Sequence, residues 1–444
     1  MTTKIKIRKP HAQKQQCSSP SLQPSRRCHT LAFFAAHLLL LSFIGFDTIG
    51  QHPIVPNPTP VGMTPNIQMG NSNSYPTGIP NYGNSSNQIH EQNMRLINET
   101  NRMIEEKANV DLETQPDLRQ LSQMNYQTEL KKHINSNYWK AYDKLKNMLE
   151  GKTEANLKQA VFEVEHAFNN TFTYEEFNKT LQQFVEIVKL KMEQDKTILS
   201  NSAINVAIAQ VLSDTIILKI KHQENEITSY PIGYDFNDPW GIEDWNNMFV
   251  SKLLFNKKGN CHSMPLLYLI IAEELNADAY LSFSPNHSYI KFQHNNTMYN
   301  FETTQGVLVT DQWVMGSGYI TTEAIKNKVF MDTLNKVQTI AHCLNDLAMG
   351  YTKIFGYSDT TFTNTCAELS LKYFNEGNIM ARVVKSNNYL ASVSMLGKQL
   401  GIKSREEAMN NLEIKKLWDK HDKEYRFIES TGYKTIPREK YDLW

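Results

Sequence analysis

The sequence predicts an α+β protein in which a buried, cysteine-bearing helix packs on an antiparallel sheet, between helical N- and C-terminal extensions. Three observations lead there. Helical periodicity dominates residues 89–222 and resumes beyond Thr322 to near Tyr425. Between these regions, Leu275 to Gln305 is a series of short aromatic and β-branched runs broken by Pro285 and by Asn295 with Asn296. At the junction stands GNCHSMPLLYLIIAEEL, Gly259 to Leu275, a helix apolar on almost every face. With 444 residues the chain is long enough for several domains or one domain with large additions. Lysine plus arginine and aspartate plus glutamate both total 46, and no basic stripe or nucleic-acid motif is present, so no nucleic-acid partner is expected.

In chain order, residues 1–30 carry Lys4, Lys6, Arg8, Lys9, Lys14, Arg26 and Arg27 without an acidic residue. The largely apolar run LAFFAAHLLLLSFIGF follows, Leu31 to Phe46. This is the pattern of an export signal over residues 1–50, with cleavage near Gly50. Its sixteen residues fall short of the roughly 20 that span a bilayer comfortably. The expected location is therefore periplasmic or extracellular. No stable membrane insertion is expected after cleavage, and an N-terminal anchor results only if the signal is retained. Residues 51–88, rich in Pro, Asn, Gly and Ser, read as a disordered linker, because they hold too few large apolar side chains to offset the entropy of ordering.

A helical region is expected over residues 89–222. In LKQAVFEVEHAFNN, the residues Leu157, Ala160, Val161, Val164, Ala167 and Phe168 form an amphipathic stripe, and Thr173 with Glu176 forms a capping box for the next helix. The core is placed at residues 223–321. It opens with SYPIGYDFNDPWGIEDWNNMF, whose Trp240 and Trp245 would wall a cleft or pack as an aromatic cluster. Residues 322–444 form a helical C-terminal region, in which LNDLAMGYTKIFG and TNTCAELSLKYF make one helix pair of tetratricopeptide-like character.

Of five cysteines, Cys17 and Cys28 would leave with the signal. Cys343 and Cys366 sit in apolar helical patterns, as buried thiols or as one mutual bridge. Cys261 differs from both. Pro265 fits only the first turn of a helix, so the helix start falls at about Cys261 or His262, where unpaired N–H groups and the helix dipole favour a thiolate. A nucleophilic thiol also needs a base and a group that orients it. PNHSYIKF and TMYNFETT read as the strands of a hairpin, and any loop of even length places His287 and Glu302 on one face. His262 beside Cys261 admits a Cys/His metal site, but no second cysteine lies nearby, so neither metal nor cofactor is expected.

The order of a Cys at the start of a buried helix (GNCHS), a His leading a strand (PNHSYIKF) and an acid fifteen residues later (NFETT) resembles the transglutaminase-like superfamily, a relative of papain-type folds. The match covers roughly Asp235 to Gly306. The resemblance implies a transglutaminase/papain-like core with Cys261 as nucleophile, His287 as general base and then acid, and Glu302 as the group orienting the imidazole. Glu302 is a departure, since the family's acid is most often Asp; Asp311 is the fallback. Asn286-His287-Ser288 is also a glycosylation sequon, and a glycan there would obstruct the base, so export through a bacterial envelope is the reading compatible with activity.

The expected function is that of an exported cysteine hydrolase or acyltransferase acting on a protein or peptide substrate through a thioester. The competing expectation is a non-catalytic binding or scaffold protein of the same fold, which the helix-rich flanks favour.

Overall fold

The computed structural model describes residues 116–219, 226–375 and 377–437. The expected signal segment and linker lie outside the described residues. The architecture is mixed helix and strand with small sheets, as an α+β chain requires. Helices α1 (Pro116–Leu149), α2 (Leu157–Phe168), α3 (Tyr174–Gln194) and α4 (Asn201–Ser213) come first. The stripe read from the sequence is the buried face of α2, and Thr173 and Glu176 close the capping box of α3.

The first departure follows α4. The helical pattern was expected to run to residue 222, but α4 ends at Ser213 and Ile216–Lys219 forms β1, paired antiparallel with β2 (Glu226–Ser229). Ile216 and Leu218 are buried while Ile217 and Lys219 are exposed, so the run IILK has the period of two of a strand. Next come the short β3 (Gly233–Tyr234), a 3-10 turn at Trp245–Met248, α5 (Val250–Asn256), and β4 (Lys258–Gly259), which pairs parallel with β3. The cysteine-proximal helix α6 is Ser263–Glu274, with Cys261 and His262 forming the turn that leads into it. Its residues from Ser263 to Ala272 are all buried. It is packed by α2, α3, α4, α5 and by strands of the main sheet. Each fully buried Leu or Ile there contributes about 1.5–3 kcal/mol relative to exposure.

The main sheet is an antiparallel meander of β5 (Tyr280–Ser284), β6 (His287–His294), β7 (Thr297–Glu302) and β8 (Val307–Val309). Pro285 and Asn286 make the β5–β6 turn, with Asn286 at φ 59°. Asn295 and Asn296 make the β6–β7 turn at φ 48° and 59°, the left-handed pair that a two-residue hairpin loop needs. After the short helices α7 (Asp311–Met315) and α8 (Thr322–Lys326) come α9 (Lys336–Phe355), α10 (Thr361–Tyr373), α11 (Ile379–Gln399), α12 (Arg405–Asn410) and α13 (Leu412–Ser430). Helices α9 and α10 pack as a pair, and α9 also lies against α1 and α2, so the N- and C-terminal helices share one core with α6.

The end of α6 ties these parts together. Glu273 accepts from the N–H groups of Leu157 and Lys158 at the start of α2, and pairs with Lys336 at the start of α9. A carboxylate at a helix N-terminus satisfies orphan donors and opposes the dipole. Among the described residues, no helix is long and apolar enough to cross a membrane.

Candidate active site

The loop before α6 is organised by one side chain. Asn260 is fully buried; its Oδ1 accepts from His262 N at 3.0 Å, Ser263 N at 2.9 Å and Ser263 Oγ at 3.1 Å. Its Nδ2 donates to the carbonyls of Pro239 at 2.9 Å and Asn247 at 3.1 Å. One amide thus caps the helix entry and fixes it to the tryptophan loop. That loop is itself wrapped around Asp238, which accepts from the N–H groups of Ile242, Glu243 and Asp244 and from Asn247 Nδ2. Burial alone would raise the Asp238 carboxyl, but these donors hold it below the usual carboxylate range. Trp245 is buried as part of this support.

Cys261 lies against the start of β6. The Ser288 hydroxyl donates to the Cys261 carbonyl, and the His287 ring hydrogen-bonds the Cys261 side chain. His287 Nε2 is 2.7 Å from Glu302 Oε2. The second Glu302 oxygen accepts from Thr304 N at 3.0 Å and Thr304 Oγ1 at 2.7 Å, so the carboxylate is held at both ends. The three residues singled out in the sequence, Cys261, His287 and Glu302, therefore meet in one buried cluster.

The register explains how a glutamate serves there. His294 pairs with Thr297, and continuing that ladder sets Glu302 across from Tyr289, one diagonal away from His287. Diagonal neighbours on one face are within reach of long side chains, and the additional methylene of Glu spans the offset. The fallback acid Asp311 is engaged elsewhere, accepting from Asn300 Nδ2 at 2.8 Å. Burial pulls the His287 imidazole down, but the Glu302 charge and the bonds to Cys261 and Glu302 outweigh it and raise it to about 10. Glu302 is correspondingly held below its ordinary range despite burial, chiefly by His287.

The other two thiols are different. Cys343 and Cys366 are free and lie in the core, so no bridge joins them, and burial pushes both well above the ordinary thiol range.

A second ionisable cluster adjoins the first. His262 Nδ1 is 3.0 Å from the Met248 carbonyl, and its Nε2 lies 3.1 Å from Asp346 Oδ1 of α9. His342, one turn before Asp346, places Nε2 4.0 Å from the same oxygen. Burial opposes a charge on His262, but Asp346 and the Met248 carbonyl more than reverse it and raise the imidazole to about 9. Glu165 of α2 caps α5 by accepting from Val250 N at 2.6 Å and Ser251 N at 2.9 Å; burial pushes its carboxyl up to about 7.

No family model matches the chain, and neither a curated protein nor a solved structure is significantly similar to it.

Reading the sequence missed Asn260, Ser288 and Thr304 as supports. Thr304 carried a signal, since a hydroxyl two residues after an acid readily closes a local turn onto it. His342 and Asp346 carried only the spacing of four that puts two side chains on one helix face.

Proposed function

We propose that this chain is an exported transglutaminase-like cysteine hydrolase or acyltransferase, acting on amide or peptide carbonyls through a thioester on Cys261. The observation that carries this reading is the His287 ring held between the Cys261 side chain and the Glu302 carboxylate. The order Cys, His, acid along a buried helix and an antiparallel meander supports the transglutaminase-like core. Export rests on residues 1–50 of the sequence alone.

In the proposed reaction His287 already holds the proton drawn from the thiol when Sγ attacks the carbonyl carbon, and the carbonyl oxygen becomes an oxyanion for which the Cys261 N–H is the first natural donor. Collapse of the adduct breaks the C–N bond, and His287 returns the proton to the leaving amine or ammonia. Water or an amine, losing its proton to His287, then attacks the thioester and regenerates the thiol. Glu302 fixes the tautomer and balances the imidazolium. The raised His287 pKa suits the step in which the ring must hold a proton for the leaving group.

One observation favours a non-catalytic binding or scaffold role instead: Cys261 is only 7% exposed. The two clefts described, of about 220 and 380 Å³, lie elsewhere, one beside Tyr357 and Leu417 and one beside Met148 and Tyr174. Incubating the protein with glutaminyl and peptide amides plus hydroxylamine separates the two. The enzyme reading expects hydroxamate and ammonia, with an acyl group on Cys261 in the intact mass and neither product from Cys261→Ala. Product levels equal to those of Cys261→Ala on every amide would leave the scaffold reading.

A further inference from the structure

The cluster of His262, His342 and Asp346 has no part in the triad chemistry, yet its arrangement is specific. One ligating atom from each residue lies within 4.8 Å of the other two. The Met248 carbonyl can only accept, so the proton on His262 sits on Nδ1, and in the neutral ring Nε2 is then a lone-pair nitrogen. That nitrogen lies 3.1 Å from Asp346 Oδ1, within reach of an ion shared by both. With a metal ion in place of the Nε2 proton, both atoms would face one cation. In a tetrahedral zinc site with bonds of about 2.0–2.2 Å, neighbouring ligand atoms stand roughly 3.4 Å apart and necessarily off one another's bond axis. The observed 3.1 and 4.0 Å bracket that edge.

We propose that His262 Nε2, His342 Nε2 and Asp346 Oδ1 form a divalent transition-metal site of the zinc class, joining the cysteine loop to α9. Two imidazoles and one carboxylate suit zinc, cobalt or nickel rather than magnesium or calcium. The outer partners fit as well. A metal-bound histidine usually donates its other N–H to a carbonyl, as His262 does to Met248. His342 Nδ1 faces the Asn345 amide at 3.4 Å, and the Asn345 oxygen has no partner. Phe283 and Phe374 flank His342 with apolar surface.

The site holds whether or not the triad turns over, so its test reads binding and not activity. The full-length protein, stripped with a chelator, is titrated with Zn²⁺ by calorimetry and with Co²⁺ by visible absorption. Expected are one equivalent bound at micromolar affinity or tighter and cobalt bands without thiolate charge transfer. Cys261→Ser should bind equally well, while Asp346→Asn and His342→Gln should each weaken binding at least tenfold with helical content retained. Wild type that binds neither ion below millimolar concentration would overturn the proposal, and an ion pair between a protonated His262 and Asp346 would be the remaining account. Binding lost in Cys261→Ser would overturn it too, by placing the ion on the thiol.

Discussion

Glu302 is the residue on which the geometry of the proposed triad turns, because its two oxygens are divided between His287 and Thr304. In Glu302→Gln the shape is kept and the charge is lost. His287 has its pKa raised to about 10 by folding, so its share of the pair's stability is complete below the unfolded value of about 6.5 and is lost as pH rises through about 10. Glu302 is lowered, so its share is present above its unfolded value of about 4.3 and lost as pH falls. The stability gap between wild type and Glu302→Gln should therefore be widest between about pH 5 and 6.5, at about 1.5–3 kcal/mol, and shrink towards pH 10. Urea unfolding at several pH values measures it, and a gap that does not vary with pH would contradict the pairing. The sequence revealed this pair through parity alone; the grip of Thr304 depends on a local turn that alternation does not encode.

At the scale of elements, the β6–β7 hairpin decides whether His287 and Glu302 share a face, and its register is set by two asparagines in left-handed backbone. Asparagine tolerates that conformation, whereas a β-branched residue does not. Asn296→Val should cost about 1–2 kcal/mol, and Asn296→Gly should be neutral or slightly stabilising, both measurable as changes in thermal midpoint. A valine variant as stable as wild type would show that the turn does not hold the register. The hairpin, the cysteine helix and the capping box of α3 were all legible, because each is written in local spacing: alternation, Pro265 in the first turn, and Thr173 before Glu176. The β1–β2 hairpin was not. IILKIK follows a helix directly, and the apolar residues alone do not show where a period near four gives way to a period of two.

Across the whole molecule, α6 is enclosed by α2, α3, α4, α5 and the main sheet, and Glu273 links the starts of α2 and α9 through its carboxylate. Such long-range ties have no local signature, so His342 and Asp346 beside His262, and Glu165 capping α5, could not be read from spacing. The same enclosure sets the three cysteines apart. Cys343 on α9 and Cys366 on α10 are core residues, reachable by a reagent only when the fold opens. Cys261 sits in the turn before α6, against the His287 ring.

The most direct measurement is site-resolved alkylation of the folded protein by iodoacetamide across pH, read by mass spectrometry for wild type and His287→Ala. The triad predicts that Cys261 is modified much faster than Cys343 or Cys366 without denaturant, and that His287→Ala slows Cys261 at least tenfold near neutral pH while leaving the other two unchanged. Equal rates at all three cysteines, or a Cys261 rate indifferent to His287→Ala, would contradict it.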